Sequence, residues 1–110
     1  MAKEAKRIQA GQVVDYVAAG TIANGDVIPL TGRIGIALDD AVSGETISLA
    51  ISEVYEFTAT TADAIAFGAV VYFDATARSI TTTATDNTLA GFAVSTKAAA
   101  TAGTVEVKIG

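Results

Sequence analysis

Residues 90–109 read AGFAVSTKAAATAGTVEVKI, and residues 34–51 read IGIALDDAVSGETISLAI. Both stretches contain a Gly-apolar-Ala-apolar segment, a polar connection and a glycine-opened segment in which apolar and polar residues alternate. A glycine-opened apolar segment precedes each, GDVIPL from Gly25 and GAVVYF from Gly68. The unit thus occurs twice, at a spacing of about 55 to 60 residues. Two copies are too few for a solenoid, so we predict one small all-β domain with an internal two-fold pseudo-repeat.

Alternation with period two, typical of half-buried strands, continues outside the repeat. Residues 45–57 keep apolar residues in one phase, broken only at Glu53 and Val54, and residues 12–18 are β-branched and aromatic enough for a first strand. Asp74 can start a turn between two strands, because an aspartate side chain accepts hydrogen bonds from the backbone just after it. The alanine-rich pieces are shorter than an autonomous helix. We expect a compact β-barrel or β-tulip-like domain.

The amino-acid composition argues against most common catalytic mechanisms and metal sites. The chain has no Cys, no His and no Trp, so disulfides, the usual zinc sites and imidazole acid-base catalysis are excluded, and no cofactor is expected. Hydrophobic residues make up 51%, yet no apolar run approaches the roughly 18 residues of a membrane helix. The N-terminus lacks the apolar core of a secretory signal. We expect a soluble protein that is made in the cytoplasm and does not bind membranes.

Charge separates the first ten residues from the rest. Lys3, Lys6 and Arg7 against Glu4 give residues 1–10 a charge of +2, which leaves −7 for residues 11–110 of a chain whose total is −5. An acidic body repels phosphate backbones, so direct nucleic-acid binding is not expected. Residues 1–10 are predicted to be a flexible basic arm, and residues 11–110 a single β domain. The arm is either a solvated terminus or a strap that orders on a partner surface.

The search for catalytic motifs finds none. The sequence has no phosphate-binding G-x-x-x-x-G-K-[ST] loop and no G-x-S-x-G nucleophile elbow. Asp39, Asp40 and Glu45 could in principle hold calcium, but their spacing fits no EF-hand and favours an acidic surface loop. Glu53 and Glu56 could form a glycosidase pair, but the aromatic platforms of sugar sites are absent. We therefore predict that the protein is not an enzyme and has no small-molecule substrate.

The aromatic residues belong mostly to the predicted core, with one pair set apart. Tyr72 and Phe73 are adjacent in a predicted strand, so their side chains point to opposite faces. One of the two must point away from the main core. We take Tyr72 and Phe73 as candidate subunit contacts.

A longer succession of motifs resembles a known family. It comprises Gly35-Ile36-Ala37-Leu38-Asp39-Asp40-Ala41, Glu53-Val54-Tyr55-Glu56-Phe57, Gly68-Ala69-Val70-Val71-Tyr72-Phe73-Asp74, the run from Thr81 to Ala93 and the closing Gly103-Thr104-Val105-Glu106-Val107-Lys108-Ile109. From about Gln9 onward the chain resembles the small capsid decoration, or cement, proteins of tailed bacteriophages, often labelled as a domain of unknown function with a recombinase-like misnomer. The resemblance is carried by glycines and apolar strands, not by reactive groups.

What the resemblance implies is a structural role in the virion. Such proteins look like β-rich caps, commonly homotrimers, that bind the major capsid protein on the outside of the expanded head and bridge capsomers. On this hypothesis Lys3, Lys6, Arg7 and Ile8 of the arm are candidate capsid contacts. Two other classes stay open, a generic ligand-binding or adhesin-like β module and a biotin or lipoyl carrier, whose displayed lysine would be Lys97.

Overall fold

The computed structural model describes residues 11–110 and confirms the all-β prediction. No helix occurs in this range, and the arm residues Lys3, Lys6, Arg7 and Ile8 lie outside it. The strands are β1 (Val13–Val17), β2 (Val27–Pro29), β3 (Ile34–Ala37), β4 (Thr46–Ala50), β5 (Val54–Ala59), β6 (Val70–Asp74), β7 (Ser79–Thr81), β8 (Thr88–Ala93) and β9 (Gly103–Lys108).

The strands form one open sheet and one barrel. The open sheet has the order β1-β4-β3-β2, and the closed barrel has the order β5-β7-β6-β8-β9. All neighbouring strands are antiparallel except β5 and β7, which pair in parallel only through Ala59 and Ile80. The predicted turn at Asp74 is present, because its Oδ1 accepts hydrogen bonds from the Thr76 and Ala77 amides at 2.9 and 3.1 Å. This hairpin supplies β7, the strand that closes the barrel.

The two sequence copies have the same strand pairing. In the first copy β2, β3, β4 and β1 are neighbours in that order, and in the second β6, β8, β9 and β5 are. An isolated bridge next to the sheet recurs as well, Ile22 with Ala41 in the first copy and Ile65 with Lys97 in the second. The predicted pseudo-repeat is therefore present in three dimensions.

The predicted spacing of the repeat is wrong for its first strand. Gly25 and Gly68 open equivalent strands but lie 43 positions apart, whereas Ala37 and Ala93 in the next strands lie 56 apart. The second copy holds thirteen more residues between these two points, and they contain β7. One copy remains an open sheet while the other closes into a barrel because only the second has this insertion.

The main core joins the sheet to the barrel. Ile34, Ile36 and Ala50 of the open sheet belong to the same buried cluster as the barrel residues. Those barrel residues include Phe57, Ala59, Ile65, Val71, Phe73, Ile80, Ala90, Ala93, Val105, Val107 and Ile109. A smaller cluster of Ala18, Ile22, Ala37, Ala41 and Ile47 fills the other face of the open sheet. The interior of the barrel is thus packed with apolar side chains.

Candidate functional site

Two of the acidic residues considered as metal or catalytic groups, Asp40 and Glu45, accept hydrogen bonds from loop backbone amides. The Asp40 carboxylate accepts a hydrogen bond from the backbone N–H of Asn24 at 2.7 Å. The Glu45 carboxylate accepts one from the backbone N–H of Val42 at 2.8 Å. Within residues 11–110, no three His, Cys, Asp or Glu side chains are grouped so that they could hold a metal ion. The exposed Glu56 lies directly opposite Glu106 on the neighbouring strand. These carboxylates stabilise turns or face solvent.

Lys97 is a buried lysine, which the sequence did not predict. Its side chain is only 8% exposed, and its ammonium donates hydrogen bonds to the backbone oxygens of Thr61, Asp63 and Ala98 at 3.1, 2.8 and 3.0 Å. All three donors of the ammonium are used in this way. The arrangement ties the β5–β6 connection to the β8–β9 connection. Lys97 therefore does not have the displayed position that a biotin or lipoyl carrier requires.

Asp63 forms the other half of this polar cluster. Its Oδ2 accepts hydrogen bonds from the Thr81 hydroxyl at 2.7 Å and from the Thr82 amide at 3.0 Å. These two bonds, and to a smaller extent the positive charge of Lys97, hold the pKa of the Asp63 carboxyl below its usual value of 3.8. Asp63 thus fixes the end of β7, the strand that closes the barrel.

Replacing Asp63 by asparagine should therefore give a stability loss that depends on pH. Because the folded state lowers this pKa, the carboxylate stabilises the fold above pH 3.8, and this contribution disappears as the pH falls through the lower folded value. We expect the free energy of unfolding of Asp63→Asn to lie below that of the wild type at neutral pH and to approach it in acid. Urea unfolding at about pH 7 and about pH 3 measures the difference. Asp39→Asn, on an exposed residue, is the control, and a pH-independent gap would contradict this role.

Of the adjacent aromatic pair, only Tyr72 lies at the surface. Phe73 is 2% exposed and belongs to the main core, so its burial removes it from the candidate subunit contacts, while Tyr72 is half-buried on the outer side of β6. The Arg78 guanidinium lies 5.0 Å from the centre of the Phe73 ring and donates to the Val27 backbone oxygen at 3.0 Å. Arg78 thereby links the barrel hairpin to strand β2 of the open sheet.

A cleft of about 410 Å³ lies where the open sheet meets the barrel. Val27, Leu38 and Tyr55 supply apolar walls, while Glu56 and Arg78 bring opposite charges to it. The cleft has room for a small side chain or ligand. Its position next to the Arg78 link places it at the junction of the two halves of the molecule.

The outer surface of the barrel carries a row of exposed apolar residues. Val54 pairs with Lys108, Lys108 with Phe92, and Phe92 with Val70, so the row crosses β5, β9, β8 and β6. Val54, Phe92 and Val70 are 49%, 40% and 54% exposed, and Phe67 just before β6 is 70% exposed. We call this row, with Phe67, the barrel face. Large apolar side chains grouped at the surface are typical of interaction sites.

The sequence singled out Tyr72 as a candidate subunit contact, which stays a prediction, and it indicated neither the burial of Lys97 nor the barrel face. Lys97 stands in an alanine-rich piece that gives no local indication of burial, and its acceptors come from residues 61–63 and 98. The sequence gives no signal for the barrel face on its own. Val27, Ile36 and Ala50 occupy the equivalent positions in the first copy, but this equivalence is seen only once the strand register is known.

None of the described residues forms a helix that could span a membrane.

Comparison with known proteins supports the family that the sequence motifs resemble. Neither the curated proteins nor the solved structures include a significant match. A family model for phage cement proteins, in contrast, matches residues 8–109. Since this match covers nearly the whole sequence, the chain belongs to the phage cement protein family.

Proposed function

We propose that this protein binds the outside of the expanded phage head and stabilises it by bridging neighbouring capsomers. The observation that carries the proposal is the family match over residues 8–109, since phage cement proteins are structural proteins of the virion capsid. The proposed partner is the major capsid protein, and the proposed assembly is a homotrimer. Synthesis in the bacterial cytoplasm precedes this attachment.

The physical basis of such a function is selective binding. A protein that binds only the expanded lattice shifts the equilibrium toward that lattice by mass action, in proportion to the logarithm of its free concentration over its Kd. Many weak contacts repeated over the shell then oppose the pressure of packaged DNA. This function needs a rigid body and contact surfaces but no reactive groups. The packed barrel, the Lys97–Asp63 cluster and the exposed barrel face support it.

The direct test is addition of the purified protein to expanded and unexpanded heads of the phage that encodes it. We expect saturable, stoichiometric binding to expanded heads and no binding to unexpanded ones. Sedimentation of the heads followed by quantitation of the bound protein measures both. Equal binding to the two forms, or binding to neither, would contradict the proposal.

The basic arm is proposed to contact the capsid through Lys3, Lys6, Arg7 and Ile8. Deleting residues 1–10 should leave the domain folded, because the main core and both sheets are formed by residues 11–110. We expect the deletion to weaken attachment to expanded heads at least tenfold, while the thermal unfolding temperature changes little. A variant with Lys3, Lys6 and Arg7 changed to alanine separates charge from length. Unchanged occupancy after the deletion would remove the arm from the proposal.

A second candidate function is binding of a small ligand, which the 410 Å³ cleft favours. This alternative predicts a monomer whose unfolding temperature rises with a soluble ligand, whereas the cement proposal predicts an oligomer indifferent to small molecules. Gel filtration, together with thermal unfolding across a set of sugars and nucleotides, separates the two. A monomer stabilised by one of these compounds would favour the alternative.

A further inference from the structure

We infer that the barrel face is the surface on which a second copy of this chain docks. The inference rests on the oligomeric cement protein proposed above and specifies how its copies meet. Three observations carry it: the burial of the central residues of the equivalent row in the first copy of the repeat, the amount of exposed apolar surface, and the arrangement of charges beside it.

The first copy of the repeat shows that such a row can be packed. In the open sheet Val13 pairs with Ala50, Ala50 with Ile36, and Ile36 with Val27, so these residues form a row across four strands. The row of Val54, Lys108, Phe92 and Val70 in the barrel occupies the equivalent strands in the same order. Ile36 and Ala50 are buried in the main core, Val27 packs against it, and Val13 at the end of the row is 40% exposed. The middle of the row is therefore buried against protein in the first copy, whereas Phe92 at the equivalent place in the barrel is exposed.

The exposed apolar area fits the centre of a subunit interface. An aromatic side chain presents about 150 to 250 Å² in full. The exposed fractions of Phe67, Phe92, Val54 and Val70 then add up to about a few hundred Å² of exposed apolar surface. A standard interface buries about 800 Å² on each partner, with an apolar centre and a polar rim. Tyr72, a candidate subunit contact from the sequence, lies on the same outer side of β6 two residues after Val70.

The charges beside the patch are complementary to those of a second copy. Glu56 and Glu106 lie opposite each other on β5 and β9, and like charges in this position repel. Lys108 stands in the neighbouring row of the same strand. A second copy that docks through the same region can bring its Lys108 to this glutamate pair. An interface between identical chains favours a surface that carries both signs of charge over a surface of one sign.

The test compares the oligomeric state of surface variants. Phe92→Asp and Val70→Asp place a carboxylate in the barrel face, and Val42→Asp is the matched control, because Val42 is 59% exposed in the open-sheet half. We expect sedimentation equilibrium to show a rise of at least tenfold in the subunit dissociation constant for the first two variants. The control should keep the wild-type value. Circular dichroism and thermal unfolding of the dissociated subunits establish that the variants are folded.

A charge exchange gives a second readout that does not depend on the apolar variants. Lys108→Glu should weaken self-association, and so should Glu106→Lys. An equimolar mixture of the two single variants should associate more tightly than either alone, because each then offers the charge the other lacks. If neither mutation changes the dissociation constant, or if the mixture shows no gain, the glutamate pair does not face Lys108 of a second copy.

The remaining outcomes separate this inference from the proposed function. If the barrel-face variants stay oligomeric but no longer bind expanded heads, the barrel face meets the shell and the inference is wrong, while the cement function stands. If the wild-type protein is a monomer at high concentration and still binds heads, the inference is likewise wrong. Loss of self-association in the barrel-face variants, with the control intact, supports it whether or not head binding is retained.

Discussion

Gly91→Ala is expected to destabilise the protein by about 4 kcal/mol or more, a large part of the roughly 5 to 15 kcal/mol by which a typical domain is stable. Gly91 has a φ of +151°, which L-residues rarely adopt. A Cβ atom there would lie 2.0 Å from the Lys108 backbone oxygen and 2.9 Å from the carbonyl carbon of the same residue. These are backbone atoms of the neighbouring strand, so no rotamer change relieves the clash. Strands β8 and β9 would have to separate.

The control for this prediction is Gly103→Ala on β9 of the same barrel. A Cβ at Gly103 would meet no atom within 4 Å, and its φ is not in the left-handed region. We expect this variant to be as stable as the wild type or slightly more stable, since alanine restricts the unfolded chain. Urea unfolding of both variants measures the difference. A loss below about 1 kcal/mol for Gly91→Ala would show that β8 and β9 can adjust their spacing.

Lys97→Met is expected to reduce the free energy of unfolding by about 3 kcal/mol. Methionine keeps most of the aliphatic stem but removes the ammonium. The backbone oxygens of Thr61, Asp63 and Ala98 would then lose the donor they share, in a position with little access to water. Hydrogen bonds to a charged group are stronger than neutral ones, so three together make a large contribution.

Lys108→Met is the matched control, because Lys108 is a lysine on the barrel surface that is not buried. Its loss should change the stability of the isolated subunit by no more than about 0.5 kcal/mol. Denaturant unfolding at a concentration where both variants have the same oligomeric state keeps the comparison valid. Equal effects from the two substitutions would mean that the Lys97 hydrogen bonds contribute nothing specific.

The strands were predictable because their patterning is local. The alternation at Val105, Val107 and Ile109 places these residues in the barrel core, as expected from period two. The predicted break in phase at Glu53 has a structural cause. Glu53 has a φ of +83° at the point where the chain leaves the open sheet and enters the barrel. The alternation restarts there because the chain turns.

The difference between the two copies could not be predicted in the same way. Whether a copy closes into a barrel depends on β7 meeting β5 through Ala59 and Ile80, a contact between residues 21 positions apart. The first copy has only a short turn at this point, in which the Leu30 amide donates to the Arg33 oxygen at 2.7 Å. The sequence shows a longer connection in the second copy but not what the connection pairs with. The burial of Lys97 depends on contacts between distant segments in the same way.

The position of β9 between β5 and β8 has a consequence for folding during synthesis. The four strands of the open sheet lie within residues 13–50, so they can begin to pair while the ribosome is still making the second half. Strand β5 must wait for Gly103–Lys108 before it acquires its main partner. Its apolar residues remain exposed to chaperones and to other nascent chains during that interval. We expect ribosome-bound intermediates stalled before residue 103 to have a second half that is cleaved by protease faster than the first.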